Sequence, residues 1–162
     1  MLFRSYIRDG KPLPAKYMYI KEMLDRLNAI DGEKLCEYEM GVKYKDGVLS
    51  ACDFHDPDRY WRGIADLMVV NRETGVVHLV DYKTGKSAQY ADTKQLKLLA
   101  AATFLHFPEI QIVRAGLLFV VAKDFIKADY EELYTDKYFE EFHPIVDRLK
   151  VCHESGVWNR SE

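Results

Sequence analysis

The sequence predicts one domain of the α/β (α+β) class, a central mixed β-sheet flanked by helices. Three observations carry this. Three long segments repeat apolar residues at helical spacing, several shorter ones alternate or run apolar, and the two kinds interleave as helix, strand, strand hairpin, helix, strand, helix.

The elements follow in order. Residues 1–14 carry Gly10, Pro12 and Pro14 and read as an irregular start. Residues 15–30 place Met23, Leu24, Leu27 and Ile30 on one helical stripe, ended by Asp31-Gly32. Residues 35–44 alternate, with Cys36, Tyr38, Met40, Val42 and Tyr44 facing one way and Glu37, Glu39, Gly41 and Lys43 the other. Asp46-Gly47 marks a turn, and residues 50–58 read as loop. Residues 60–70 and 76–83 are apolar strands joined by Asn71-Arg72-Glu73-Thr74-Gly75, a hairpin. Residues 92–106 predict a helix capped by Asp92, with Leu96, Leu99, Ala100, Thr103 and Phe104 on its buried stripe. Residues 112–122 predict a buried strand, residues 124–130 a shorter one, and residues 135–154 a C-terminal amphipathic helix.

Composition bounds the partners. The chain has 162 residues, 48% of them hydrophobic and 30% charged, which is one domain with a core of its own. The net charge of −3 carries no global signature of a nucleic-acid binder, although local basic patches remain compatible with it. Three cysteines without CxxC spacing argue against zinc and for a reducing compartment. The first residues, MLFRSYIRDGKPLP, lack a leader's apolar core, and no stretch approaches a membrane span, so a cytoplasmic protein with no membrane partner is expected.

The chemistry gathers in LVDYKTGKS, residues 79–87. Gly85-Lys86-Ser87 is the end of a phosphate-binding loop, but Val80 stands where that loop needs its first glycine. An acid, Asp81, would also sit inside the cradle and repel phosphate. The hairpin offers a better reading. A turn centred between Glu73 and Thr74 pairs positions whose numbers sum to 147, which sets Asp66 opposite Asp81. Opposed Cβ atoms lie roughly 4.5–5.5 Å apart, so two such carboxylates destabilise each other unless positive charge intervenes. Lys83, two residues beyond Asp81, points to the same face. The plain alternative is a solvated edge pair, against which stand the apolar flanks of both acids.

Gly63-Ile64-Ala65-Asp66, then Asp81-Tyr82-Lys83-Thr84-Gly85, then Gln95 on a helix resemble the motif order of the PD-(D/E)XK nuclease superfamily, within it the RecB-like exonuclease group. The resemblance covers about residues 35–122. Each motif alone is weak; all three in order are specific. The resemblance implies a restriction-endonuclease-like fold and hydrolysis of DNA phosphodiesters assisted by Mg2+ or Mn2+. It implies that Asp66, Asp81 and the Tyr82 carbonyl hold the metal, that Lys83 orients water or offsets phosphate charge, and that Gln95 positions the site. The chain departs from the pattern twice. Leu99 replaces the tyrosine expected after Gln95, and the first helix has no histidine. Glu39 is the candidate for the missing acid ligand, with Glu37 and Glu22 behind it. Arg62, Lys86, Lys94 and Lys97 are candidate DNA contacts, and Tyr60 and Trp61 candidate stacking residues whose plain alternative is packing. The short N-terminal region resembles small phage-encoded members, which would act in host cytoplasm. An exonuclease stands ahead of an endonuclease by analogy alone, and the competing class is an inactive DNA-binding or scaffold module of the same fold.

Overall fold

The structure, a computed structural model, describes residues 2–85 and 92–158. Helix α1 (Leu2–Asp9), a 3-10 turn (Ala15–Ile20) and helix α2 (Lys21–Asn28) precede strands β1 (Glu33–Lys45), β2 (Val48–Cys52), β3 (Trp61–Asn71) and β4 (Val76–Lys83). Helix α3 (Lys94–His106) leads to β5 (Ile112–Phe119) and β6 (Asp124–Glu131), and α4 (Thr135–Glu140) and α5 (His143–Ser155) follow. The six strands form one sheet in the order β2-β1-β3-β4-β5-β6. β4 and β5 are parallel, with α3 in the connection between them; the other neighbours are antiparallel. The fold is the mixed sheet flanked by helices that the sequence predicts.

Both faces of the sheet are covered, which is why β3 and β4 read as nearly continuous apolar runs. One core joins Met40, Met68, Leu79 and Leu117 to Leu99 of α3 and Phe139 of α4. The other joins Leu67, Val69, Val80 and Leu118 to Ile7 of α1 and Leu24 of α2. The hairpin turn sets the register between β3 and β4. Asn71 Oδ1 accepts the Glu73 and Thr74 N–H groups, each at 3.1 Å, and Gly75 takes φ 70. The pairs then run from Asn71–Val76 to Leu67–Val80, the expected sum of 147.

At the next position the alternation breaks on two strands at once. Ala65 and Met68 both reach the α3 core, three residues apart, with Leu67 on the other face. On β1, Leu35 and Tyr38 both reach the α3 core while Cys36 faces the other way. The pairing passes from Cys36–Leu67 to Tyr38–Ala65 without a Glu37–Asp66 bridge, and Glu37 has φ 53. A non-glycine residue at positive φ inside a strand is strained, so surrounding contacts must hold it. The expected single face for Cys36, Tyr38, Met40 and Val42 is corrected here: Cys36 lies on the face opposite the other three.

Other elements differ at their edges. Residues 1–14 contain helix α1, because Phe3, Tyr6 and Ile7 repeat at helical spacing and pack in the α2 core. The breakers only end it, Gly10 at φ 66. Residues 50–52, expected as loop, belong to β2. The helix expected over residues 15–30 begins as a 3-10 turn. The C-terminal helix divides near Phe142, where Pro144 opens α5 without a backbone N–H to donate.

Phe139 is the plug of the α3 side, fully buried and edge-on to Trp61 at 6.2 Å. Phe139→Ala should destabilise the fold by about 3–5 kcal/mol, measured by equilibrium urea unfolding.

Candidate functional site

The site lies where the β3–β4 pairing stops. In place of the next ladder bond, Asp66 Oδ2 accepts the Tyr82 backbone N–H at 2.8 Å. Asp66 therefore stands beside Asp81, and the two carboxyl groups interact directly. Burial is the main cause that pushes the Asp66 carboxyl up, to about 6; the Tyr82 bond opposes the rise and the Asp81 charge adds to it.

Asp81 is buried on the α3 side of β4, the face shared by Val77 and Leu79. Lys83 Nζ sits 2.6 Å from Asp81 Oδ2. That approach lacks hydrogen-bond alignment, so Oδ2 is buried without a hydrogen-bond donor among the described residues and is balanced by charge alone. Lys83 Nζ also donates to Gln95 Oε1 at 3.3 Å. Gln95 is in the first turn of α3, where Asp92 Oδ1 accepts the Lys94 N–H at 2.9 Å. Three separate segments thus deliver Asp66, Asp81 with Lys83, and Gln95 to one place.

Glu39 is not brought there. It pairs with Ile64 on the face of β1 opposite Met40, and it is exposed. Glu37, at the break itself, is bound by Arg4 of α1. Glu22 is on the surface, paired with Arg26. Among the described residues no group of three or more His, Cys, Asp or Glu side chains is placed to hold an ion. The donor set is therefore two carboxylates and main-chain oxygen. It fits a Mg2+-type ion, which keeps several waters and needs only one or two carboxylates. The buried, donor-free Asp81 Oδ2 and the crowded acid pair mark where added positive charge would be stabilising.

The remaining candidates divide. Tyr82 sends its ring to the α1 side, 5.0 Å from Phe3, and burial raises its phenol above the ordinary range; only its backbone is at the site. Gly63 is required by packing, since a Cβ there would lie 2.5 Å from the Trp61 ring. Trp61 is thereby a core aromatic, and Tyr60 is engaged with His143 Nδ1 at 2.6 Å. Arg62 stands on the face opposite Gly63, over the Phe54 ring at 4.7 Å. Lys94 and Lys97 flank Gln95 on α3, and Lys97 meets Glu141 at 3.3 Å. Leu99, at the position of the motif tyrosine, is fully buried. Lys86 lies outside the described residues. The sequence reading missed Arg4, whose signal was the helical spacing of Phe3, Tyr6 and Ile7.

No family model matches the chain, and no curated protein matches it. Chains of solved structures do match, among them one described as "Crystal structure of SSO0001". It is 11% identical with a TM-score of 0.39, over 80% of this chain and 57% of that one. The chain thus spans little more than half of that protein, and a likeness of this size carries no argument. No helix among the described residues is long and apolar enough to cross a membrane.

The Asp66 carboxyl binds its proton more tightly folded, near 6, than at its ordinary 3.8. The stability this carboxyl contributes is therefore present below 3.8 and lost as pH rises through about 6, while the lowered carboxyls of Asp9, Asp25 and Asp56 contribute in the other direction. His78, lowered by burial beside Arg114, also acts in that other direction. The comparison with Asp66→Asn isolates the carboxyl, because the amide oxygen still accepts from Tyr82. In chelator, Asp66→Asn should raise the melting temperature relative to wild type more at pH 7.5 than at pH 4, by thermal unfolding.

Proposed function

We propose that the chain is a metal-dependent DNA nuclease of the RecB-like PD-(D/E)XK type, hydrolysing phosphodiesters in the cytoplasm, with an exonuclease ahead of an endonuclease by analogy. One observation carries the reading. Asp66, Asp81, Lys83 and Gln95 come from a hairpin and the helix after it, in the motif order, and meet at one sheet end.

Asp66 and Asp81, with the Tyr82 carbonyl, would hold Mg2+ or Mn2+, which supplies a bound water acidic enough to attack phosphorus. The protein's own groups do the rest. Asp66 is oriented by the Tyr82 N–H, which occupies Oδ2. Gln95 holds the Lys83 ammonium on the α3 side of the pair. A lysine so held offsets the negative charge that develops on phosphate oxygens during attack. Lys94 in the same helical turn extends positive charge toward the substrate backbone.

A second reading has its own support. Lys83 already balances Asp81, Leu99 is buried where the motif tyrosine would reach substrate, and Glu39 faces away. These features suit a module that keeps the fold and binds DNA without cutting it. Incubation of single- and double-stranded DNA with Mg2+ or Mn2+ separates the two. Wild type should cleave, and Asp81→Asn and Lys83→Ala should each lose at least about 100-fold in rate. Absence of cleavage by wild type, or full activity in Lys83→Ala, would reject the nuclease reading.

A further inference from the structure

A groove runs between α3 and the corner of α4 and α5, starting at the residue before Gln95. Its inner part, about 100 Å³, is lined by Lys94, Lys97 and Tyr138 together with the apolar Leu98, Phe142 and Ile145. Its outer part, about 320 Å³, adds Tyr134 and Lys137. Three lysines and two tyrosines thus line one groove, Lys94 and Lys97 from α3 and Tyr134, Lys137 and Tyr138 from its α4 side. Tyr134 is 45% exposed and stands edge-on to Tyr138 with 6.4 Å between centroids.

The acid in this groove is Glu141, and its position is informative. Its carboxylate reaches Lys97 at 3.3 Å, while its side chain is 69% exposed against 29% for the lysine. Glu141 lies over Lys97 from the solvent side. An exposed pair of this kind contributes at most about 1 kcal/mol, so a better anion displaces it easily.

We propose that this groove is the track of single-stranded DNA leading to the Asp66–Asp81 pair, with a phosphate replacing the Glu141 carboxylate on Lys97 and bases lying on the tyrosine faces. The kind of ligand rests on the nuclease reading above. A single strand offers both phosphate and flat base, and the groove offers three lysines against one acid together with the exposed Tyr134 ring.

The test is binding of a fluorescein-labelled oligothymidylate of about 20 nucleotides, by anisotropy in EDTA over a salt series. Binding in EDTA is independent of cleavage. Lys137→Ala should weaken binding and reduce the slope of log affinity against log salt by about 0.7, one phosphate contact on a single strand. Tyr134→Ala should weaken it about fivefold or more, the low end for one stacked base. Glu141→Gln should tighten it about two- to fivefold, while Glu140→Gln, at the neighbouring acid outside the groove lining, should not. All four side chains are exposed, so folding is not at issue. The groove is overturned if Glu141→Gln binds no tighter, if Glu140→Gln tightens equally, if Tyr134→Ala and Lys137→Ala bind as wild type, or if a blunt hairpin duplex binds as well as the single strand. The expected signs in a chain that cleaves nothing would support the groove and retire the nuclease reading. Cleavage with groove variants that bind normally would do the reverse.

Discussion

The fold turns on the Asp66–Tyr82 hydrogen bond and the paired break in β1 and β3 around it. Up to Leu67 and Val80 the hairpin is an ordinary antiparallel ladder. One step further, a side-chain oxygen takes the place of a backbone acceptor. That exchange satisfies the Tyr82 N–H, which would otherwise be a costly unpaired group. It also brings a carboxylate against Asp81. The break changes which residues face α3, so Ala65 and Met68 can share one core while Leu67 enters the other. Glu37 carries the backbone strain of the arrangement, and Arg4 of α1 holds it. Helix α1 therefore supports the site from behind, through a residue that touches neither Asp81 nor Lys83.

Electrostatics then explains why the cluster is poised and not inert. Burial, and after it the neighbouring charge of Asp81, raise the proton affinity of Asp66. Lys83 relieves Asp81 by charge but without a hydrogen bond, and divides itself between Asp81 and Gln95. Such an arrangement is electrostatically incomplete, which is what distinguishes it from the surface pairs Lys21–Asp25 and Arg26–Glu22. Those pairs sit in water and are worth little. The same contrast separates the site from the lysine groove. At the pair, two acids share one lysine; in the groove, three lysines face one acid.

Much of the site was legible because its geometry is local. A hairpin with a short turn converts sequence distance into spatial pairing, so the sum of 147 placed Asp66 by Asp81 from the turn residues alone. Lys83 follows from two-residue alternation, whereas Gln95 was reached only through the motif order of the resemblance, on a helix that periodicity predicts. Glu39 is off the site because alternation, which holds from Tyr38 onward, sets it opposite Met40, whereas Asp81 shares the face of Leu79; the residue misplaced on β1 is Cys36. Strict alternation along β1 puts Cys36, Tyr38 and Met40 on one face, and that fails wherever a strand breaks step. The break needs Glu37 at positive φ, a conformation that sequence pattern disfavours. Helix α1 was hidden by the glycine and prolines that follow it, and the division of the last helix by a short apolar stretch that reads as continuous.

By itself, the sequence determined the mixed sheet, its flanking helices, the hairpin register and the Asp81–Lys83 pairing on one strand face. All of these depend on periodicity, turn chemistry and neighbours close in the chain. Tertiary structure decided the rest: which strands flank which, the matched break at Glu37 and Asp66, the Arg4 contact, and the groove made by α3 with α4 and α5. These join segments far apart in sequence, where side-chain packing on two opposed cores, and not local propensity, selects the conformation.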